Sequence, residues 1–394
     1  MSAPRVYLHA LGMINALGHD AHSIVASLAA GVAPGMQPVQ SQLGDAFVGR
    51  VHTPLDLAPP DALAAYDCRN NRLLLSALAQ IRPAIDAASA RFGAHRIGVV
   101  LGTSTSGVGA AEAALAHRAR TGELAGEFDY RQMEIGTAAP FAAAALGVKG
   151  PAYTISTACT SSAKAMISAR RLLTLGFCDA VVAGGVDSLC ELTLQGFSAL
   201  DSTSPVRMNP MSRTRSGINI GEGAAVFLMS RDEAPVALVG AGESSDAHHI
   251  SSPDPEGAGG EIALRNALRD AGLDSRTIGY VNLHATATVK NDQMEARLMS
   301  RVFPGGVPTS GTKPLTGHTL GAAGATELGL CWLALARDDV ALPRHLWDGD
   351  ADPELPVLDL VSEERYLSRG TDTQYVMSNS FAFGGSNASL ILGR

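Results

Sequence analysis

Thr154-Ile-Ser-Thr-Ala-Cys159 has an echo later in the chain, Pro308-Thr-Ser-Gly-Thr-Lys313. Cys159 lies between a strand and a helix start, and Lys313 at the end of an apolar strand. A helical stretch follows each, Ala163 to Leu175 in the first case and Leu320 to Ala336 in the second. The rhyme extends outward in both directions. Arg5-Val-Tyr-Leu-His-Ala-Leu-Gly12 pairs with Pro235-Val-Ala-Leu-Val-Gly-Ala-Gly242, and Arg96-Ile-Gly-Val-Val-Leu-Gly102 pairs with Thr277-Ile-Gly-Tyr-Val-Asn-Leu-His284. Ala180-Val-Val-Ala-Gly-Gly185 pairs with Gln374-Tyr-Val-Met-Ser-Asn-Ser-Phe381. Strands alternating with Ala-rich helical stretches predict α/β layers with largely parallel sheets, the strands buried on both faces. The pattern predicts a duplicated chain, with halves 1–232 and 233–394, the break falling near Ser230 to Pro235. Two loop-rich inserts, Asp201 to Ser216 and Ser251 to Gly257, are expected to line a site, as loops on rigid scaffolds do.

The composition supports a large folded core. Of 394 residues, 46% are hydrophobic and 17% charged, which excludes a disordered chain. The formal net charge of −8 argues against non-specific nucleic-acid binding. Only Lys149, Lys164, Lys290 and Lys313 supply lysine among the 30 basic residues. The five cysteines are widely spaced without a Cys-x-x-Cys, so neither a disulfide framework nor a zinc site is expected. No apolar run is long enough for a membrane span, and Met1-Ser-Ala-Pro-Arg-Val lacks a secretion-signal pattern, so a cytoplasmic location is expected.

Several motifs fail on inspection. Gly102-Thr-Ser-Thr-Ser-Gly107 has the glycine spacing of a phosphate loop but lacks its lysine. Gly240-Ala-Gly242 lacks the third glycine of a dinucleotide turn, and His248-His249 lacks partners at ligand spacing. Four segments remain that bring reactive groups to strand ends. Cys159 lies between a strand and a helix start, where free N–H groups and the dipole favour thiolate and can hold an oxyanion. His284-Ala-Thr-Ala-Thr288 ends a strand, with Asp292 and Glu295 following. Lys313-Pro-Leu-Thr-Gly-His318 leads into a helix of small residues that can approach its neighbours closely. Asn379-Ser-Phe-Ala-Phe-Gly-Gly-Ser-Asn387 is a glycine turn with exposed backbone donors. One thiol, two imidazoles and an ammonium thus follow strands of a duplicated fold.

Along essentially its whole length the chain resembles the β-ketoacyl-acyl carrier protein synthases, the elongating condensing enzymes of the thiolase superfamily. Thr157-Ala-Cys159 is like the family's nucleophile motif, and His284 to Thr288 resembles its His-Gly-Thr-Gly-Thr motif. Lys313 with His318 to Glu327 resembles the Lys-x-x-x-Gly-His motif and its helix, and Asn379 to Gly385 resembles the gating loop. The Cys-His-His set is that of the elongating branch. The resemblance implies an α-β-α-β-α sandwich and a decarboxylative condensation of malonyl-carrier with an acyl group held on Cys159. It casts His284 and His318 as donors to the malonyl oxyanion, Lys313 as the group fixing a histidine, and Thr286 and Thr288 as partners of the phosphopantetheine arm. It casts Phe383, with Phe381, as the gate, and the Cys159 and Phe383 amides as the oxyanion hole. Glu327 falls in the substrate site. No bound cofactor or metal is implied. The implied partners are an acidic acyl carrier protein, with Arg69, Arg72, Arg207, Arg213 and Arg215 as docking candidates, and a second copy or a chain-length factor.

Alanines Ala285, Ala287 and Ala382 replace family glycines, and Met211-Ser-Arg-Thr-Arg-Ser-Gly217 replaces the family's Phe-Asp-x-x-Arg-Asp-Gly. These departures suggest a specialised pathway enzyme, similar to ketosynthases of aryl polyene clusters. The alternatives are a non-catalytic chain-length partner, which typically lacks the cysteine, and a decarboxylase that never condenses.

Overall fold

The computed structural model describes residues 5–41, 44–368 and 374–394. In chain order the strands are β1 (Val6–Ile14), β2 (Met36–Ser41), β3 (Gly44–Gly49), β4 (Ile97–Gly102), β5 (Ala152–Ile155), β6 (Ala180–Asp187), β7 (Gly223–Ser230), β8 (Val236–Ser245), β9 (Ile278–Leu283), β10 (Thr309–Gly311), β11 (Tyr375–Ala382) and β12 (Ser386–Gly393). Strands β2 and β3 form a separate antiparallel pair. The other ten follow the order β10-β9-β11-β12-β8-β1-β7-β6-β4-β5.

Read outward from the β8–β1 junction, the two sides repeat one another. β1, β7, β6, β4 and β5 on one side match β8, β12, β11, β9 and β10 on the other. The pairing senses match as well: β4 is parallel to β5 and β6, as β9 is to β10 and β11, while β7 and β12 run antiparallel to both neighbours. In each five-stranded unit four strands therefore run the same way and one, β7 or β12, runs against them, so the sheets are mixed where largely parallel ones were expected. The difference lies in β7 and β12, the fifth rhyming pair, which the four apolar echoes did not include. Both are buried apolar runs, Gly-Ala-Ala-Val-Phe-Leu-Met-Ser and Ser-Asn-Ala-Ser-Leu-Ile-Leu-Gly.

The units join edge to edge where Val6, Leu8 and Tyr7 meet Leu238, Val236 and Ala237, and they also stack through helices. Arg69–Phe92 and Ala138–Leu146 cover the outer face of the first unit, and Ala258–Ala271 covers that of the second. Ser161–Thr174 and Ala323–Ala336 lie between the units and touch strands of both. This is the α-β-α-β-α layering of a thiolase-like fold. Ala323–Ala336 is apolar nearly all round, as a helix enclosed on every side must be. At the crossing of the two central helices Gly324 has no room for a side chain: a Cβ there would lie 2.8 Å from Ala163 Cβ and 2.9 Å from its backbone nitrogen. That contact sets how close the nucleophile helix and the helix after His318 come. Among the described residues no helix is long and apolar enough to cross a membrane.

Gly324→Leu should force these helices apart. We expect a loss of stability at or beyond the about 1–3 kcal/mol typical of overpacking, because the atoms in the way are the Ala163 backbone and the Cβ fixed to it. Urea unfolding of the purified variant measures it, and a wild-type midpoint would contradict the crossing.

Candidate active site

The four segments converge on one cavity of about 440 Å3, whose wall includes Cys159, His284, His318, Thr286 and Phe383. Its outer part is lined by Asp201, Ser216 and Ser251, so both inserts reach the site. Cys159 sits on a sharp strand-to-helix turn. Ala158 takes a left-handed φ of +51°, and Ser161 Oγ closes the turn, donating to Ala158 O at 2.6 Å and accepting from the Thr157 amide at 2.9 Å. The helix Ser161–Thr174 starts immediately afterwards.

Cys159 Sγ lies 3.0 Å from His318 Nε2. The rings of His284 and His318 stand edge to face with centroids 5.3 Å apart. Behind them Lys313 is completely buried, its Nζ 3.2 Å from His284 Nδ1 and 2.5 Å from Glu327 Oε1, and it also donates to the His284 carbonyl. An ammonium has only donors, so His284 Nδ1 must accept, and the ring proton resides on Nε2, facing the cavity. Burial, then the Lys313 charge, holds both imidazoles well below their usual range, with His318 adding to the effect on His284. Both are neutral. Burial likewise pushes the Glu327 carboxyl up to about 7, with Lys313 opposing it.

The nucleophile departs from one expectation. Burial pushes the Cys159 thiol up to about 12, against the pull of Lys313, and Glu327 and Asp187 reinforce the rise. The resting group is a thiol beside a neutral imidazole, because desolvation outweighs the nearby positive charge.

Three buried carboxylates escaped the sequence reading as parts of the site. Glu295 takes the His284 and Ala285 amides, each at 2.7 Å. Asp292 takes the Met211 amide at 2.8 Å and the Ala287 amide at 3.2 Å. Asp187, at the end of β6, accepts from the Thr103 hydroxyl, the Ser104 amide, the Thr105 hydroxyl and amide, and the Ala322 amide, tying the loop after β4 to the turn after His318. Asp292 and Glu295 at i, i+3 on a helix start beside the histidine motif were the signal available. The clamps matter because Ala285 and Ala287 have φ of +41° and +59°, a region that costs a residue with a Cβ roughly 1–2 kcal/mol. Ala382 has φ of −118° and tolerates its methyl without strain.

Thr286 and Thr288 line the cavity with hydroxyls 2.9 Å apart. Phe381 stands edge-on to His284 at 6.0 Å, and Phe383 packs against Phe197 at 5.3 Å. Ser386 Oγ, just past the glycine turn, meets Thr160 Oγ1 at 2.9 Å, linking that turn to the nucleophile. Arg69 is bound by the fully buried Glu222, Arg72 by Asp67, Arg213 by Asp350, and the buried Arg215 by Asp352 at 2.5 Å. The last two pairs rebuild across the fold the local ion pairing that Met211–Gly217 lacks. Arg207 is exposed with no ion pair among the described residues. Cys159, His284 and His318 also bring their ligand atoms within 4.8 Å of one another, but the adjacent Lys313 ammonium opposes a cation there.

A buried thiol, two neutral imidazoles and an enclosed ammonium at the meeting of duplicated α/β units define an acyl-transferring condensing enzyme. Residues 68–234 match the beta-ketoacyl synthase N-terminal domain and residues 236–346 its C-terminal domain. The 3-oxoacyl-[acyl-carrier-protein] synthase 2 of Coxiella burnetii is 30% identical across all of this chain and 99% of its own length. That of Vibrio harveyi is 36% identical over 62% of each chain, so the matched stretch spans under two thirds of that relative. A ketosynthase (ApeO) solved in complex with its chain length factor (ApeC) from Xenorhabdus doucetiae is 45% identical, covering 99% of this chain and 98% of that one, with a TM-score of 0.94. The chain belongs to the β-ketoacyl synthase family.

Lys313→Met should free the His284 ring. In histidine-labelled protein followed by 15N NMR, we expect wild-type His284 to stay neutral with its proton on Nε2 from pH 5 to 8. In the variant it should populate both tautomers and titrate closer to 6.5, since a lowering charge is gone. Identical spectra for the two proteins would contradict the assignment.

Proposed function

We propose that the protein is an elongating 3-oxoacyl-[acyl-carrier-protein] synthase of a specialised pathway of aryl polyene type. The carrying observation is the 3.0 Å contact between Cys159 Sγ and His318 Nε2, with a Lys313-fixed His284 Nε2–H facing the same cavity. In the first half-reaction Cys159 sulfur attacks the carbonyl of an acyl-carrier thioester while its proton passes to His318 Nε2. The tetrahedral oxyanion rests on the Cys159 and Phe383 amides. The carrier thiol leaves with the proton, and the acyl group stays on sulfur. In the second, malonyl-carrier enters with its arm along Thr286 and Thr288. The bond to its carboxylate breaks, CO2 departs, and the electron pair forms an enolate whose oxygen takes hydrogen bonds from His284. His318 gave its Nε2 proton to the carrier thiol, so it donates to the same oxygen only after its remaining ring proton exchanges from Nδ1 to Nε2, the acylated sulfur no longer competing for that position. The enolate carbon attacks the acyl-cysteine, the new C–C bond forms, and Cys159 leaves as thiolate, which takes a proton from water to return to the resting thiol. The enzyme uses no cofactor of its own, and the phosphopantetheine of the carrier brings both substrates.

Neutralised arginines move the carrier contact toward the cavity mouth. Lys290 lines the mouth, its Nζ 3.2 Å from Ser252 Oγ, beside the exposed Val289 and Ile250. Lys290 and Arg207 suit an acidic carrier. A chain-length factor as second subunit is supported by the solved complex of the 45% identical ketosynthase and by β5, a half-exposed last strand beside the nucleophile turn. A non-catalytic partner role is disfavoured by the intact Cys159–His318 contact.

Intact mass after incubation with acyl-carrier, with and without a candidate partner subunit, tests the reading. We expect an acyl adduct that is absent in Cys159→Ala and is cleared by malonyl-carrier with a product two carbons longer. No adduct under any of these conditions would overturn it, and CO2 release without the longer product would identify a decarboxylase. Lys290→Glu should raise KM for carrier-bound substrate three- to tenfold and leave turnover of a short pantetheine thioester unchanged. An equal effect on both substrates would place the lysine elsewhere in the cycle.

A further inference from the structure

We propose that His345 is a positioning residue for the condensation site, fastening the strand that leads to Lys313 to the loop that lines the cavity. The proposal rests on the assignment of Lys313 and His284 above. His345 follows the enclosed helix Ala323–Ala336 and is 2% exposed. Its Nδ1 accepts the Gly311 amide at 2.9 Å. A backbone amide can only donate, so the ring proton lies on Nε2, which donates to the Pro210 carbonyl at 3.0 Å. Burial pushes the ring down to about 4, so it remains the neutral, one-donor, one-acceptor bridge that these partners require.

Both ends of the bridge lead to the site. Gly311 closes β10 two residues before Lys313. A Cβ on Gly311 would lie 2.5 Å from Ala285 Cβ, 3.5 Å from Pro210 Cγ and 3.7 Å from His345 Cε1. The residue after His284, the cavity loop and the imidazole thus converge on one bare Cα. At the other end, Pro210 precedes Met211, whose φ is +62°. Met211 is held by Asp292, which also holds Ala287, and the Ala287 carbonyl accepts the Gly217 amide at 2.9 Å. Gly217 lines the cavity. The segment just beyond His345 grips the same loop, Asp350 through Arg213 and Asp352 through Arg215. A rigid ring with an acceptor on one edge and a donor on the other couples the two sides, and no amide side chain serves both at once.

That last point supplies the test. His345→Asn places its carboxamide oxygen near Nδ1, keeping the Gly311 bond and losing Pro210. His345→Gln reaches the Nε2 position, keeping Pro210 and losing Gly311. Hydrogen–deuterium exchange by mass spectrometry should show faster exchange in residues 209–217 for the Asn variant and in 309–313 for the Gln variant. With malonyl-carrier we expect the Asn variant to raise KM three- to tenfold with kcat within twofold. The Gln variant should lower kcat tenfold or more with KM within twofold. Wild-type exchange in both segments, or the same uniform loss of protection in both variants, would overturn the proposal. Absence of condensation by the wild type with any partner would instead overturn the function assigned above, and the exchange pattern would still decide the role of His345.

Discussion

The Lys313 ammonium lies wholly out of water, and the groups within its reach carry its charge. Glu327 supplies the countercharge at 2.5 Å, while the His284 carbonyl and Nδ1 take the remaining protons. A buried cation without such partners is strongly unfavourable, so the position of this one fixes theirs. The consequences spread from there. His284 is left one tautomer, both imidazoles stay neutral, and a field that favours negative charge reaches Cys159. Glu327 comes from the helix enclosed between the two units, so the ammonium also ties the site to the centre of the fold.

Around this core the backbone is bent into turns that L-residues avoid. Ala158, Ala285, Ala287, Met211 and Leu320 all have positive φ, and all stand beside or between the reactive groups. Buried carboxyl groups that form no ion pair among the described residues are the restraint: Glu295 and Asp292 hold the alanines after His284, and Asp187 holds the amide of Ala322, just past Leu320. Backbone N–H groups donate to these carboxyl oxygens and are aimed by them, while burial pushes Glu295 up to about 8 and Asp292 up to about 6 against those hydrogen bonds. Strain of this kind persists only where the surroundings over-determine it. Asp187, which disfavours a thiolate at Cys159, also holds the turn that follows His318, the acceptor beside that sulfur.

Much of this was legible in order along the chain. The four apolar echoes anticipated the repeated strand order, because strands buried on both faces must be apolar wherever they fall. Cys159, His284 and Lys313 were legible because each closely follows a strand, where side chains of a layered fold meet a cavity, and His318 because it stands one short helical turn beyond Lys313. Strands β7 and β12 were less so: one follows a long insert and the other the glycine turn, with no helix after either to frame them. Arg69, Arg72 and Arg213 were unreadable as docking groups, since an arginine in a sequence shows its charge but not the Glu222, Asp67 or Asp350 that cancels it.

The sequence by itself determined the duplication, the identity of the thiol, imidazole and ammonium groups, and the family they belong to, because these rest on residue type and local order. The tertiary structure alone decided which histidine meets the thiol and which meets the lysine, since His284, His318 and Cys159 come from three separated segments. It also decided the protonation states. Cys159 is a thiol and His284 neutral chiefly because burial removes water from both, and Lys313 at Nδ1 then selects the Nε2–H tautomer; burial is a property of the packed molecule and not of any stretch of chain.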